Sequence, residues 1–190
     1  TDGRLVFSSL GSPYDIVRLP DLEIPVEAPR TAYVERLKTI FPDESRAIDR
    51  YFASCDEAQK ASVALFASNA APAPIAALIR WFNSRRIRHA LDTTTAEVVR
   101  DIRDPRLAAV LTARWGDYGI PPAQAPLAIH ALVTSSYSSG AYYPVGGPAR
   151  FAETLGETIR AADGQLRTRA TVSEIRVAGG RVAGVRLANG

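Results

Sequence analysis

The spacing of the hydrophobic residues changes twice along this 190-residue chain, and this change limits the folds that it can adopt. Residues 14–26 alternate between polar and apolar side chains around Pro20-Asp21, a turn pair, as expected of two short antiparallel strands. Residues 31–162 mainly repeat apolar side chains at three- and four-residue steps, which is typical of helices. Alternation returns in residues 172–187. We therefore predict an α+β chain that is mostly helical.

Capping residues mark where several of these helices begin and end. A side-chain oxygen just before a helix accepts an N–H of the first turn, and proline favours the first turn but stops a helix further along. Four helices are predicted in this way: one capped by Thr31 and stopped by Pro42, a longer one opened by Asp43, one that follows a capping box at Thr94 and Glu97, and one at Asp104-Pro105 with Trp115 on its apolar face and Gly116 at its end.

The last 50 residues have the pattern helix, strand, then hairpin. Residues 148–162 place apolar side chains at four-residue steps, and Gly164 is predicted to be the left-handed residue after this helix. A strand is expected at residues 166–168, and Gly179-Gly180 suits the tight turn of a final hairpin. Such an order is typical of an α/β or α+β protein.

Composition excludes several classes of function. A formal net charge of +3, scattered along the chain, gives no reason to expect a nucleic-acid partner. One cysteine and two histidines give no metal site at a familiar spacing, and we predict none. Cys55 lies on an apolar helical stripe and is interpreted as a buried hydrophobe. Nucleophilic hydrolysis is not supported, because the serines near His130 lack a Gly-x-Ser-x-Gly motif.

Residues 75–89 combine Trp81, Phe82 and aliphatic side chains with four arginines. A basic amphipathic helix of this kind can lie on an anionic membrane surface, although an ordinary solvated surface helix has the same pattern. The uncharged stretch at 61–79 is interrupted by polar residues and prolines, so it is not predicted to span a membrane. Peripheral membrane contact through residues 75–89 therefore remains one of two interpretations.

The chain contains no methionine and begins with Thr1-Asp2-Gly3. No apolar signal-peptide stretch follows. We expect from this composition that the sequence is an internal segment of a longer protein.

Three motifs resemble a known family: residues 115–122 (WGDYGIPP), 128–132 (AIHAL) and 140–147 (GAYYPVGG). They are similar to the middle of FAD-dependent oxidoreductases related to phytoene desaturase, carotenoid isomerase and retinol saturase. The pattern in residues 155–187 is similar to the same enzymes, although the helix, strand and hairpin alone are shared by many flavin amine-oxidase-like proteins.

The resemblance implies a domain organisation and a cofactor. Residues 1–139 would form a segment of a mostly helical substrate-binding domain with a small antiparallel sheet, and residues 140–190 a returning, incomplete piece of the FAD-binding α/β domain. Val172 matches a valine whose main chain meets the adenine of FAD in the family. Gly146 and Gly147 match a pair that lets the backbone approach the flavin or substrate closely; an ordinary turn before a helix is the equal alternative.

The resemblance also implies hydride transfer between FAD and a long apolar carotenoid-, retinoid- or polyene-like substrate, with the cofactor supplying the chemistry. The residues expected to contact that substrate are Trp115, Tyr118, Tyr142, Tyr143 and His130; catalytic residues are not identified. His130 is otherwise interpreted as a satisfied core histidine. The alternative function is a non-catalytic module that binds an apolar ligand or a protein.

The glycine fingerprint that holds the pyrophosphate of a dinucleotide is missing from these 190 residues. We therefore expect FAD to bind the longer protein and not this segment alone. A cytoplasmic location, peripheral to the membrane if residues 75–89 dock there, is the expectation for localisation; the oligomeric state is not predicted.

Overall fold

The computed structural model describes residues 3–189 and has the predicted α+β class. The chain divides into two compact units, one of residues 9–142 and one of residues 3–8 and 143–189. The chain passes between them within two short paired strands, β1 (Phe7–Ser9) and β4 (Tyr142–Pro144). The candidate site residues are distributed over both units.

The unit of residues 9–142 is a small hairpin followed by helices. Its hairpin is β2 (Asp15–Leu19) and β3 (Leu22–Val26), and its helices are α1 (Arg30–Ile40), α2 (Ser45–Ala70), α3 (Ala73–Asp92), α4 (Thr95–Val99), α5 (Pro105–Thr112), α6 (Trp115–Tyr118) and α7 (Leu127–Ser136).

The predicted antiparallel sheet at residues 14–26 is confirmed. Strands β2 and β3 pair in register, with Val17 opposite Ile24 and Leu19 opposite Leu22 around the Pro20-Asp21 turn. Ile24 and Val26 are buried while Glu23 is exposed, as alternation along a strand requires. This hairpin covers one side of the helical core.

Two helix starts differ from the sequence prediction. Helix α1 begins at Arg30 with Pro29 as its N-cap, so the prediction of Thr31 as cap is wrong; the extended backbone of Pro29 already provides the entry. Pro42 does stop α1, but it opens a 3₁₀ turn, Pro42–Glu44, and the long helix α2 therefore begins at Ser45 and not at Asp43.

Helix α2 is the centre of the core. Ile48, Tyr51, Phe52 and Cys55 are buried on one face, which confirms the apolar stripe. Burial raises the pKa of the Cys55 thiol to about 12, so this residue stays protonated and acts as a small hydrophobe, as predicted. Further along α2, Phe66 is exposed, whereas Ser62 and Ser68 are buried.

The predicted caps of α4 and α5 are confirmed. Thr94 and Glu97 form a complete capping box, and the Asp104 side chain accepts a hydrogen bond from the N–H of Arg106. The end of α5 differs from the prediction: it stops at Thr112, Trp115 starts the separate helix α6, and Gly119 with φ +71° follows that helix. Trp115 is therefore not on the buried face of α5, and the prediction that Gly116 ends the helix is wrong.

The unit of residues 3–8 and 143–189 contains α8 (Ala149–Ala161), β5 (Val172–Ala178) and β6 (Arg181–Leu187). The predicted hairpin is confirmed, with Gly179 and Gly180 at positive φ in its turn. The strand expected at 166–168 is wrong, because within the described residues this segment has no neighbouring strand with which to pair.

The end of α8 also corrects a prediction. Asp163, with φ +57°, is the left-handed residue, and Gly164 comes one position later. The N–H of Gly164 donates to the carbonyl of Ile159 and that of Asp163 to the carbonyl of Arg160, which is the Schellman pattern. A Cβ at Gly164 would lie 2.8 Å from the Ile159 carbonyl oxygen, so glycine is required there for space and not for its φ.

Candidate functional site

His130 is fully buried on helix α7, and both of its ring nitrogens are within hydrogen-bond distance of a tyrosine hydroxyl. The Tyr51 hydroxyl lies 2.6 Å from Nε2, and the Tyr118 hydroxyl lies 3.0 Å from Nδ1. Tyr51 comes from the core helix α2 and Tyr118 from the last residue of α6. The fold thus brings together two of the predicted site residues, His130 and Tyr118.

One further hydrogen bond shows which atoms carry the protons in the group formed by Tyr51, His130 and Tyr118. The Tyr51 hydroxyl donates its single proton to the carbonyl of Leu111 at 2.8 Å, so it can only accept a hydrogen bond from His130. Nε2 of His130 therefore carries the proton and Nδ1 is left as an acceptor. The Tyr118 hydroxyl then donates to Nδ1, and every group in the chain is satisfied.

Burial lowers the pKa of His130 to about 4, because the imidazolium would lose its hydration in the core. The imidazole is accordingly neutral near pH 7, as the proton assignment requires. Being fully buried, His130 does not reach the surface of the described structure. Its direct effect is to hold the Tyr118 hydroxyl in place, with the hydroxyl proton directed towards Nδ1.

The other predicted substrate contacts are exposed. Trp115, on the same short helix as Tyr118, has a relative exposure of 45%, and Tyr142 is exposed at the end of the unit of residues 9–142. Tyr143 is exposed as well, but it belongs to the second unit. Tyr118 itself is half-buried, and burial raises the pKa of its hydroxyl. These four side chains remain predicted substrate contacts.

The predicted cofactor residues all lie in the second unit. Gly146 and Gly147 both have φ +85° in the turn before α8, a conformation that favours glycine. A Cβ at Gly147 would meet open space within residues 3–189, whereas one at Gly146 would lie 3.1 Å from the Arg150 side chain. Val172 is the first residue of β5 and is exposed. The N–H of Gly147 donates to the carbonyl of Pro144 at 3.0 Å, and the three residues remain predicted cofactor contacts.

A cavity of about 110 Å³ in the unit of residues 9–142 was not predicted from the sequence. The most distinctive part of its wall consists of the guanidinium of Arg114 and three tyrosines, Tyr14, Tyr33 and Tyr137. The rings of Tyr14 and Tyr137 are stacked, with centroids 5.9 Å apart and planes 9° from parallel. The cavity also borders Tyr51 and Leu111, so the buried hydrogen-bond chain of His130 forms part of its wall.

Arg114 is the central polar group of this cavity. Its Cζ atom lies 4.2 Å from the ring centroid of Tyr137 and 5.6 Å from that of Tyr14. Its Nη1 atom lies 3.1 Å from an Asp15 carboxylate oxygen and 3.6 Å from one of Asp117. Its Nη2 atom is buried and has no hydrogen-bond partner within residues 3–189. This nitrogen has almost no accessible surface.

Spacing along the chain gave little indication of this cavity. Tyr14, Arg114 and Tyr137 are far apart in sequence and meet only after the hairpin has packed on the helices. The one available signal was the position of Arg114 directly before the motif at 115–122, whose Asp117 also lines the cavity.

Helix α3 carries the pattern seen in residues 75–89. Trp81 and Phe82 each have a relative exposure of 70%, and their ring centroids lie 4.7 Å apart. Ile75 and Leu78, on the same helix, are also exposed. In residues 3–189 no helix combines the length and the apolar character that crossing a membrane requires, and no three potential metal ligands come together.

Comparison with known proteins relates the whole chain to one named enzyme. It is 32% identical to all-trans-retinol 13,14-reductase of Danio rerio over 92% of its length, and 30% identical to the enzymes of that name from Rattus norvegicus and Homo sapiens over 100%. The chain spans about a third of the length of these relatives: 30% of the Danio rerio enzyme and 33% of the other two. This similarity supports the coarser part of the predicted resemblance, to retinol-saturase-like oxidoreductases.

Two further comparisons gave no match. No protein-family profile matches the chain. No solved structure matches it either.

Proposed function

We propose that the protein is an FAD-dependent oxidoreductase that transfers hydride equivalents to or from a long apolar, retinoid- or polyene-like substrate. The observation that carries this proposal is the similarity to all-trans-retinol 13,14-reductases along 92–100% of the chain. The motifs at 115–122 and 140–147 support the same class independently of that comparison.

The proposed reaction needs a two-electron cofactor, and FAD when bound would supply that redox chemistry. Saturation would add a hydride equivalent to one alkene carbon of the substrate and a proton from solvent to its neighbour, with the two electrons drawn from the reduced cofactor. Desaturation would be the reverse, and isomerisation would leave no net transfer. The protein contributes binding, orientation and exclusion of water.

In this proposal, residues 140–190 belong to the FAD-binding domain and residues 1–139 to the substrate domain. Gly146, Gly147 and Val172 would bind the cofactor through their main chains; Gly146 and Val172 are exposed, and a Cβ at Gly147 would meet open space within residues 3–189. The apolar side chains of the β5–β6 hairpin are exposed, including Ile175 and Val182. An exposed apolar hairpin is consistent with a piece that packs against further parts of such a domain.

The substrate would contact Trp115, Tyr118, Tyr142 and Tyr143, whose rings combine apolar faces with polar edges. His130 would act as a positioning residue, because it holds the hydroxyl of Tyr118 through its Nδ1 atom at 3.0 Å. None of these five roles requires a charged acid or base.

The proposed cofactor can be tested on the protein expressed from its complete reading frame. We expect the purified protein to carry FAD, seen as a flavin absorption band that denaturation releases. After anaerobic photoreduction, adding all-trans-retinol should restore the oxidised flavin band with formation of dihydroretinol. A protein that binds retinol but no flavin would overturn the oxidoreductase proposal and favour a non-catalytic apolar-ligand module.

We also propose that helix α3 contacts an anionic membrane surface, where a strongly apolar substrate would dissolve. Between Ala58 and Leu91 the chain has no acidic residue but five basic ones, so this stretch attracts negative lipid headgroups. Trp81 and Phe82 are exposed beside these cations, as aromatic residues are at membrane interfaces.

Replacing both Trp81 and Phe82 by Ser should weaken binding to phosphatidylserine-containing vesicles by about tenfold or more, because two large apolar side chains no longer enter the interface. Vesicle co-sedimentation of the protein measures this. The matched control is Trp81→Phe, which keeps an aromatic ring and should retain most of the binding. Equal binding by the double variant would contradict membrane contact through α3.

A further inference from the structure

An open groove of about 520 Å³ lies between helices α2 and α3, and we call it the α2–α3 groove. It is formed by the first half of α2 and the last turns of α3. The charged and imidazole side chains that line it are those of Arg50, Glu57, Arg85, Arg86 and His89. Arginine side chains thus predominate among its ionisable groups.

The positive charge of the α2–α3 groove is not balanced by its surroundings. The guanidinium groups of Arg50 and Arg85 form no ion pair or hydrogen bond within residues 3–189. In that part of the chain Glu57 is the one carboxylate of the lining, and it is shared between Arg86, at 3.4 Å, and Lys60, at 2.8 Å. Like charges brought together without a counterion repel each other. An anion in the groove would relieve this repulsion.

Two further acidic residues lie nearby, in a depression that adjoins the groove. Asp92 and Glu97 line this depression, which shares Arg50 and His89 with the α2–α3 groove. The Glu97 carboxylate is held in the capping box, where it accepts hydrogen bonds from the N–H and the hydroxyl of Thr94. Because the adjoining depression carries acids of its own, an anion is expected in the groove and not in the depression.

The side chains of the α2–α3 groove suit a phosphate group. A guanidinium presents several N–H donors in one plane and can bind two phosphate oxygens at once. Nδ1 of His89 lies 3.0 Å from the Thr93 hydroxyl, and its Nε2 has no partner within residues 3–189. A phosphomonoester carries about 1.5 to 2 negative charges near pH 7, whereas a phosphodiester has a single acidic proton to lose. The unpaired Arg50 and Arg85 therefore favour the monoester.

The position of the α2–α3 groove indicates that the phosphate belongs to a lipid. Phe82 precedes Arg85 and Arg86 by three and four residues, so the exposed aromatic pair lies one helical turn from the groove on the same face of α3. Trp81 and Phe82 each have a relative exposure of 70%. Aromatic rings of this kind enter a bilayer at the level of the lipid headgroups. A soluble phosphate compound would not use these rings.

We propose that the α2–α3 groove binds the phosphomonoester headgroup of an anionic lipid such as phosphatidic acid, through the side chains of Arg50, Arg85 and His89. This proposal rests on the proposed membrane contact of α3 and adds a selectivity to it. General electrostatic attraction depends on the total charge of a membrane, whereas this groove distinguishes headgroups in membranes of equal charge.

Vesicle co-sedimentation of the protein expressed from its complete reading frame measures this selectivity. Vesicles that contain phosphatidic acid are compared with vesicles that contain enough phosphatidylserine to give the same zeta potential. We expect about tenfold tighter binding to phosphatidic acid, in line with one additional charge-assisted hydrogen bond. Equal binding to the two kinds of vesicle, or a preference for phosphatidylserine, would overturn the proposal.

Two variants that remove the same charge from the same helix test which arginines bind the headgroup. Arg85 lines the groove, whereas Arg88 is exposed, has no ion pair within residues 3–189 and lies outside the lining. We expect Arg85→Gln to abolish the preference for phosphatidic acid and Arg88→Gln to weaken binding to both kinds of vesicle equally. Arg50→Gln, on α2, should act like Arg85→Gln. Indistinguishable effects of Arg85→Gln and Arg88→Gln would contradict a headgroup site.

A short-chain, water-soluble phosphatidic acid separates this proposal from that of membrane contact. Calorimetric titration measures its binding below the concentration at which it forms micelles. Binding that depends on Arg50 and Arg85, in a protein that does not bind vesicles, would support the groove and contradict membrane contact. Vesicle binding that requires Trp81 and Phe82 but shows no headgroup preference would do the opposite. Equal affinity for glycerol 3-phosphate would assign the groove to a soluble phosphate ester and overturn the lipid assignment.

Discussion

Lowering the pH from 7 to 5 is expected to reduce the free energy of unfolding by about 2 kcal/mol through His130 alone, and by about 3 kcal/mol at pH 4. The buried imidazole has a pKa of about 4 in the folded protein, whereas an unfolded histidine titrates near its usual value of 6.5. Between these two values the unfolded chain binds a proton that the folded chain does not. The stabilising contribution is therefore complete above pH 6.5 and is lost as the pH falls towards 4.

Urea unfolding followed by tryptophan fluorescence measures this effect. Trp81 and Trp115 are the two tryptophans of the sequence and lie in the same unit as His130. His130→Gln should remove most of the pH dependence between 7 and 5, whatever it does to stability at pH 7. The matched control is His89→Gln, at the second, exposed histidine, which should retain the slope. An unchanged slope in His130→Gln would show that another group causes it.

Replacing Tyr51 by Phe is expected to lower the free energy of unfolding by about 3 kcal/mol, although it removes only one oxygen atom. The Tyr51 hydroxyl donates to the Leu111 carbonyl and accepts from His130 Nε2. Without it, two buried polar groups lose their partner, and each such loss costs about 1–3 kcal/mol. The substitution leaves no cavity larger than the hydroxyl, so packing contributes little to the loss.

Chemical denaturation at pH 7 gives the magnitude, with Tyr33→Phe as the control. Tyr33 also lines the cavity and burial raises the pKa of its hydroxyl, but that hydroxyl forms no hydrogen bond within residues 3–189. We expect Tyr33→Phe to change the stability by less than about 1 kcal/mol. Similar losses in both variants would mean that the Tyr51 hydrogen bonds are not what stabilises the core.

Local features of the fold could be predicted because their causes are local. The Gly179-Gly180 turn, the capping box of Thr94 and Glu97, and the Asp104 cap each depend on residues within a few positions of one another. Backbone preference and a nearby side-chain oxygen decide such features before any tertiary contact forms. All of them are present in the structure.

Other predictions failed where a distant or competing contact decides the outcome. Trp115 continues the apolar spacing of α5, but the helix ends before it and the side chain is exposed. Asp163, and not the neighbouring glycine, takes the left-handed position, because Gly164 is needed where a Cβ would collide with Ile159. The spacing of apolar residues indicates neither where α5 ends nor which residue after α8 is left-handed.

In the candidate site, too, some features have local causes and others depend on tertiary contacts. The sequence by itself determined the α+β class, the resemblance to retinol-saturase-like oxidoreductases and the residues that carry it, because motifs and hydrophobic period are properties of neighbouring residues. Only the tertiary structure decided that His130 bridges Tyr51 and Tyr118, and that the guanidinium of Arg114 packs against the rings of Tyr14 and Tyr137. Burial and unpaired hydrogen-bonding groups are defined by all the elements that pack around a residue, so no spacing along the chain could reveal them.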